Sequence, residues 1–307
     1  MYLIILLYAL LASTFVFAKF ALDYASPIFL IGFRMTLAGI LLLSYLFLFR
    51  RKVFKIKKED IFLFLRVAFF HVYIAFIAEF WALQYVSSSK TNLIYSLTPF
   101  IAAILSFFLL KERLTSKKVI GMTLGVLGLC PILFSQNSGL LVTTDFFNIS
   151  IPEIVLLVAV ASASYAWFDI KKLMNKGYSL ILINGLAMLV GGIGAFCTSL
   201  GTEDWSSGIP VTEFLPFLKY VLILIFLSNV VFYNMYGTLL KKYSITFVTF
   251  AGFLCPLFGT FFGWFFRDES ITWHYWVSLG TISIALMIFY REELKNMIKK
   301  PQPVPSQ

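Results

Sequence analysis

Charged residues are scarce in this sequence. Only 13% of its 307 residues are Asp, Glu, Lys or Arg, and 60% are hydrophobic, whereas a soluble domain carries roughly 25% charged residues. Because a soluble surface needs charge to stay hydrated, the composition excludes one or two soluble domains. The apolar residues form blocks of about 17–26 residues, the length that spans a bilayer core. The sequence therefore predicts an all-α, multi-pass membrane protein embedded in a lipid bilayer.

The residues and motifs of an enzyme are also missing. The chain has two histidines and three cysteines, and Cys130, Cys197 and Cys255 each lie in an apolar block without pairing or metal-ligand spacing. The sequence contains no HExxH, no glycine-rich phosphate loop and no nucleophile elbow. We therefore expect no enzymatic activity, no cofactor and no metal site, and we interpret the cysteines as small buried hydrophobes.

Ten apolar segments are long enough to be transmembrane helices, the structure that satisfies its own backbone hydrogen bonds in lipid. Their bounds are 2–18, 27–49, 60–85, 91–110, 118–134, 153–170, 180–200, 215–240, 245–266 and 272–290. We expect two units of five helices, at 1–135 and 153–291. An outer loop at 136–152 is expected to join them, and a cytoplasmic tail at 292–307 to follow.

The net charge of +10 could indicate a nucleic-acid partner, but the distribution of the basic residues argues against one. With a cytoplasmic N-terminus, 19 of the 25 Lys and Arg residues lie in cytoplasmic segments and at most four in outer ones. The outer loops at 135–152 and 201–213 contain none. This is the positive-inside pattern of a membrane protein. It predicts that both termini are cytoplasmic, in the inner or plasma membrane.

A repeated segment divides the chain into halves. TPFIAAILSFFLLKE at 98–112 returns 157 residues later as CPLFGTFFGWFFRDE at 255–269, with Pro99 matching Pro256 and a glutamate closing each copy. Each half then holds five of the predicted helices. Because five is odd, the two halves enter the membrane from opposite sides. We predict two inverted five-helix repeats, a construction common among secondary transporters.

Three stretches resemble a known family. PIFLIGFRMTLAGILLL in the second span, WALQYVSSSKTNLIYSLTPFIAAILSFFLLKERLT across the third and fourth, and KKVIGMTLGVLGL in the fifth resemble the EamA type of the drug/metabolite transporter superfamily. The resemblance covers nearly the whole chain and is looser in the second half, where RDESIT stands in place of KERLT. It implies a ten-helix carrier of small metabolites with inverted repeats, a central cavity and cytoplasmic termini. Cargoes of the family include amino acids, purines, S-adenosylmethionine and drugs.

Ionisable side chains within the spans are the first candidates for a binding site, because a charge inside a membrane is costly and is usually functional. Arg34 in the second span and Glu79 in the third lie at a similar depth below the outer face. We expect them either to line one outward-facing cavity or to form a structural ion pair. His71 shares a helical face with Glu79. It either joins Glu79 in a proton path or hydrogen-bonds to a neighbouring carbonyl.

Other polar and aromatic side chains occur inside the spans. Those predicted to contact cargo are Asn92, Tyr95, Trp167, Asn229 and Tyr233. The aromatic rings suit a planar or cationic cargo, although packing alone also explains aromatic residues in a chain with 35 phenylalanines. Pro99 frees a backbone carbonyl in the fourth span, which either contacts cargo or accepts from a neighbouring hydroxyl.

Together these features predict a secondary active transporter that works by alternating access, as a monomer or homodimer. The expected cargo is an amino-acid-like or nucleoside-linked metabolite, with S-adenosylmethionine as one candidate, moved by exchange or proton coupling. Arg34 and Glu79 would bind the carboxylate and ammonium of a zwitterion. A drug or purine exporter of the same superfamily is the alternative. A channel is disfavoured by the lack of charge rings, and a non-transporting scaffold would not need charges at matched depth.

Overall fold

The structure is a computed structural model that describes residues 2–111, 115–134, 150–206, 208–242, 252 and 254–299. The main helices within these residues are α1 (Tyr2–Leu22), α2 (Pro27–Phe49), α3 (Ile61–Val67), α4 (Ala75–Leu83), α5 (Ser88–Tyr95), α6 (Thr98–Leu110), α7 (Ser116–Phe134), α8 (Ile151–Asn175), α9 (Leu180–Thr202), α10 (Phe214–Leu224), α11 (Tyr233–Lys242), α12 (Leu254–Arg267) and α13 (Trp273–Lys299). Two π-helical segments, Ala68–Ile74 and Ile225–Phe232, join α3 to α4 and α10 to α11. Each of these two pairs therefore forms one continuous helical stretch.

Seven helical stretches of the described residues are long and apolar enough to cross a membrane. They are Tyr2–Leu22, Pro27–Phe49, Lys58–Leu83, Ser88–Leu109, Ile151–Asn175, Leu180–Thr202 and Phe214–Phe232. Trp273–Phe289 is a shorter apolar helix. These eight coincide with eight predicted spans, and α7 and α12 cover the described parts of the other two. An all-helical, multi-pass membrane protein is confirmed, and the count of ten crossings stays a prediction. The predicted outer loop at 136–152 and the end of the predicted tail lie largely outside the described residues.

The fourth predicted span is interrupted, since α5 ends at Tyr95 and α6 begins at Thr98. Pro99 has no N–H to donate to the Tyr95 carbonyl, and it disfavours helical backbone at the preceding residue. The hydroxyl of Thr98 donates to that carbonyl instead, at 2.6 Å. The freed carbonyl was expected either to contact cargo or to accept a hydrogen bond from a neighbouring hydroxyl. The structure contains the second of these contacts.

The 157-residue repeat of the sequence is also a repeat of structure. The π-helical segments begin at Ala68 and Ile225, which differ by 157 positions. The described non-glycine residues with positive φ are Lys111 (φ 55°) and Asp268 (φ 49°), which differ by the same number. π-Helical turns and left-handed residues are uncommon. Their recurrence at one offset indicates that the two halves share a fold.

Two equivalent helices, α2 and α9, make the most extensive helix–helix contact in the described chain. Glycines bring their backbones together: a β-carbon on Gly39 would lie 2.5 Å from the Leu189 nitrogen, and one on Gly192 would lie 2.5 Å from the Thr36 nitrogen. Small residues permit such close approach between helices in lipid. Along α2 the contacts run from Thr36 to Gly39, whereas their partners on α9 run backwards, from Gly192 to Leu189. The two helices therefore cross antiparallel.

Two carboxylates bind helix N-termini that are distant in sequence. Glu269 accepts hydrogen bonds from the backbone N–H and the hydroxyl of both Ser88 and Ser89, at 2.7–3.0 Å, where α5 begins. Glu203 accepts from the N–H groups of Ile28 and the following residue at the start of α2, both at 2.8 Å. The unpaired N–H groups and the helix dipole favour negative charge there. Burial alone would raise the pKa of Glu269, but the hydrogen bonds from the two serines outweigh it, and the pKa lies below its usual value.

Candidate functional site

A cavity lies between helices of both halves of the chain, with walls from α1, α2, α4, α8, α11 and neighbouring segments. It encloses about 1180 Å³ that protein atoms do not fill, including space open to solvent. Six of the eight predicted site residues line it, namely Arg34, His71, Glu79, Tyr95, Trp167 and Tyr233.

Arg34 is buried in the cavity wall, with 2% of its surface exposed. Its Nε donates a hydrogen bond to Oδ1 of Asn229 at 3.2 Å. The guanidinium carbon lies 5.5 Å from the ring centroid of Phe76 and 5.6 Å from that of Phe80, within the range of a cation–π contact. These contacts orient the guanidinium without neutralising its charge.

Glu79 also lies in the lining, with 8% of its surface exposed, and its carboxylate accepts a hydrogen bond from the Tyr95 hydroxyl. Within the described part of the chain, no ion pair of 4.0 Å or less joins Glu79 to Arg34. Of the two arrangements predicted for these charges, the structure contains two walls of one cavity and not a direct ion pair. The cavity therefore has a guanidinium group and a carboxyl group in the walls of one space.

His71 lies in the first π-helical segment, with 4% of its surface exposed. Its ring meets those of Trp167 and Tyr233 edge-on, at centroid distances of 5.4 and 5.7 Å. Among the described residues, neither ring nitrogen of His71 has a hydrogen-bond partner, and neither does the hydroxyl of Ser164, which also lines the cavity. The predicted hydrogen bond from His71 to a carbonyl is therefore absent from the described residues. Both polar groups are therefore buried without a partner among the described residues.

The two predicted asparagines lie behind the cavity lining and not in it. Asn92 is fully buried; its Nδ2 donates to the Ser88 carbonyl at 2.9 Å, and its Oδ1 accepts from the Cys255 thiol at 3.0 Å. Asn229 is 1% exposed and accepts from Arg34. Protein groups already bond both amides, and the direct contact with cargo that the sequence predicts for Asn92 and Asn229 stays a prediction.

The lining also contains residues that sequence reasoning did not select, among them Tyr8, Phe15 and Ser164. Ser164 lies three residues before Trp167, on one face of α8, and that spacing could have indicated it. Tyr8 and Phe15 lie on α1, a mostly apolar helix whose Ser13, Thr14 and Lys19 do not form one polar face. The sequence pattern of α1 therefore does not show which side of the helix is turned to the cavity.

One family model matches the chain twice, at residues 1–134 and 150–291, and it describes the EamA-like transporter family. The chain belongs to the EamA-like transporter family. Each match contains one of the two π-helical segments, so the internal repeat of structure follows the repeat of the family model. As an EamA-like transporter with several long apolar helices, the protein is an integral multi-pass membrane protein with a small-molecule substrate.

Relatives of this EamA-like transporter match it over nearly its whole length. The S-adenosylmethionine/S-adenosylhomocysteine transporter of Chlamydia muridarum is 35% identical over 288 residues, which cover 93% of this chain and 89% of that protein. The transporter of the same description from Chlamydia trachomatis serovar L2 is 33% identical and covers 93% and 87%. One chain of known crystal structure has 16% identity, a TM-score of 0.64 and 97% coverage of both chains, which supports the fold alone.

Proposed function

We propose that this EamA-like protein is a secondary active transporter for S-adenosylmethionine and related zwitterionic, nucleoside-linked metabolites, working by alternating access in the cell (inner) membrane. The observation that carries the proposal is the cavity that Arg34 and Glu79 both line without pairing to each other. The two Chlamydia transporters, 33–35% identical over 93% of the chain, support this choice of cargo.

The charges of the cavity match the charges of that cargo. Arg34 would bind the amino-acid carboxylate through its planar guanidinium, and Glu79 would accept charge-assisted hydrogen bonds from the ammonium. The sulfonium of S-adenosylmethionine adds a positive charge, which the faces of aromatic rings stabilise. S-Adenosylhomocysteine keeps the carboxylate, the ammonium and the nucleoside. Both molecules therefore suit one site, and we favour exchange of one for the other as the mode of transport.

The arrangement of the halves supports alternating access. The antiparallel crossing of α2 and α9, each the second helix of its half, supports two inverted repeats of five spans each. In such carriers the repeats rock around a site near the bilayer midplane, so that it opens to one side at a time. The cavity has walls from both halves of this chain, which supports such a mechanism.

The distribution of basic residues predicts the orientation of the fold. In a variant whose three native cysteines are replaced, a cysteine at Ser206 should react with a membrane-impermeant maleimide in intact cells. A cysteine at Asn175 should react only after permeabilisation, because it follows the basic end of α8. Both side chains are exposed, so burial would not prevent labelling. Labelling of the Asn175 variant from outside would overturn the orientation.

Counter-flow in proteoliposomes tests the cargo. Vesicles loaded with S-adenosylhomocysteine should take up labelled S-adenosylmethionine against its gradient, with saturable kinetics, and vesicles without internal substrate should show little uptake. Exchange requires a carrier that reorients with cargo bound. The matched control is the same vesicle loaded with an unrelated anion.

Two results would contradict the proposal in different ways. Exchange of free purines or amino acids, with none of S-adenosylmethionine, would favour the purine or drug exporter of the same superfamily. A flux that does not saturate and does not depend on internal substrate would indicate a channel.

A further inference from the structure

The part of the cavity around His71 has a different chemistry from the part around Arg34 and Glu79. Among the described residues, the His71 ring nitrogens and the Ser164 hydroxyl are buried in the lining without hydrogen-bond partners. A polar group left unpaired in a protein interior costs free energy. Two such groups on one cavity wall therefore indicate a polar ligand that binds there.

Aromatic rings enclose the same part of the cavity. Trp167 lies edge-on to His71 at a centroid distance of 5.4 Å and packs against Tyr236 at 5.0 Å. Tyr233 meets His71 from another side at 5.7 Å. Rings arranged in this way bury the faces of a flat ligand and leave its edge to the polar groups.

The backbone places His71 for this contact. It lies within the π-helical segment Ala68–Ile74, and π-helical turns occur frequently at functional sites. Trp167 and Ser164 are three residues apart on α8 and share a face. Two elements that pack against each other thus supply both the polar atoms and the aromatic wall.

We propose that His71 and Ser164 bind the hydrogen-bonding edge of a heteroaromatic base, with Trp167 and Tyr236 against its face, so that this part of the cavity is the adenine subsite. The assignment rests on the proposed function and deepens it. It divides the cargo between two regions, the base near His71 and the amino-acid group near Arg34 and Glu79. Selection for nucleoside-linked cargo over a plain amino acid then comes from His71 and Ser164.

Competition against labelled S-adenosylmethionine in counter-flow tests the subsite. The competitors are S-adenosylhomocysteine, 5′-methylthioadenosine, which has the base but no amino-acid group, and S-methylmethionine, which has the amino-acid group but no base. His71→Leu and Ser164→Ala should each weaken competition by the first two roughly three- to tenfold, the loss of one hydrogen bond. Competition by S-methylmethionine should be unchanged. A merely structural role would weaken all three equally.

Ser283→Ala is the matched control for Ser164→Ala. Ser283 lies outside the cavity lining and its hydroxyl donates to the Leu279 carbonyl of its own helix, so its removal should leave all competitors within twofold of wild type. If His71→Leu does not fold, Ser164→Ala decides the question.

The failure of the subsite and the failure of the proposed function are distinguishable. Wild-type protein that does not exchange S-adenosylmethionine contradicts the function. Wild-type protein that exchanges it, but is not inhibited by 5′-methylthioadenosine, contradicts the subsite alone. If both adenosine compounds compete as well in the Ser164→Ala variant as in the wild type, the adenine subsite is contradicted and the proposed function is not.

Discussion

Replacement of Arg34 by glutamine should reduce S-adenosylmethionine exchange by about ten- to over a hundredfold. The change removes the charge-assisted hydrogen bond proposed between Arg34 and the cargo carboxylate, and a bond of that kind contributes about 1.5–3 kcal/mol. Arg34 is 2% exposed and has no carboxylate partner within 4.0 Å in the described chain, so no protein carboxylate neutralises its charge. The measurement is the concentration dependence of counter-flow in proteoliposomes. Arg34→Lys should retain part of the activity, because it keeps the charge but not the planar fork.

The matched control is Arg51→Gln, which removes the same charge from an exposed turn outside the cavity and should leave exchange within twofold of wild type. The double variant Arg34→Gln with Glu79→Gln separates a cargo site from a structural pair. A structural pair predicts that neutralising both charges restores stability and transport together. A cargo site predicts normal stability and lost transport. Recovered transport in the double variant would contradict the assignment of Arg34 and Glu79 to cargo.

Gly39→Ala should destabilise the folded protein substantially, since its new β-carbon would lie 2.5 Å from the Leu189 nitrogen and 2.8 Å from the Leu189 α-carbon. Both are backbone atoms, which cannot move aside by a change of rotamer, so α2 and α9 would have to separate. Overpacking of this kind costs roughly 1–3 kcal/mol. Gly192→Ala should behave alike, because its β-carbon would meet the Thr36 nitrogen at 2.5 Å. The measurement is the midpoint of thermal unfolding in detergent.

Gly201→Ala provides the control on α9, the helix of Gly192, because a β-carbon at Gly201 would lie within 4 Å of no atom beyond its chain neighbours and the nearby backbone of its own helix. Its midpoint should equal or slightly exceed that of wild type, as alanine favours helix more than glycine does. A Gly39→Ala midpoint equal to that of Gly201→Ala would show that the close crossing of α2 and α9 is not a feature of the protein in solution.

The sequence determined the class of protein and the identity of its charged cavity residues. Lipid accepts long apolar helices and few alternatives, so α2 was predicted with the bounds that the structure has, 27–49. A charge inside such a helix is costly, so it is rare and usually functional. Arg34 and Glu79 could therefore be recognised as candidate site residues from the sequence alone. The repeat around Pro99 and Pro256 could also be recognised from the sequence, because several residues of the two segments match at one offset of 157 positions.

Only the tertiary structure decided which polar side chains face the cavity. Asn92 and Tyr95 lie three residues apart on α5, yet Tyr95 lines the cavity and bonds Glu79, whereas Asn92 lies behind it against Cys255. Ser164 is in the lining although its local sequence did not single it out.

The physical reason lies in the rotation of each helix about its own axis. An apolar helix in lipid has no hydrophobic face to set that rotation, so it is set by packing against neighbouring helices. Those neighbours are distant in sequence, as Gly39 and Leu189 are. The π-helical segment Ala68–Ile74 departs from the regular α-helical spacing in the third span, which alters the register between His71 and Glu79 that a plain helix would give. Contacts between the two halves of the chain, and not the local sequence pattern of each helix, therefore determine which side chains line the cavity.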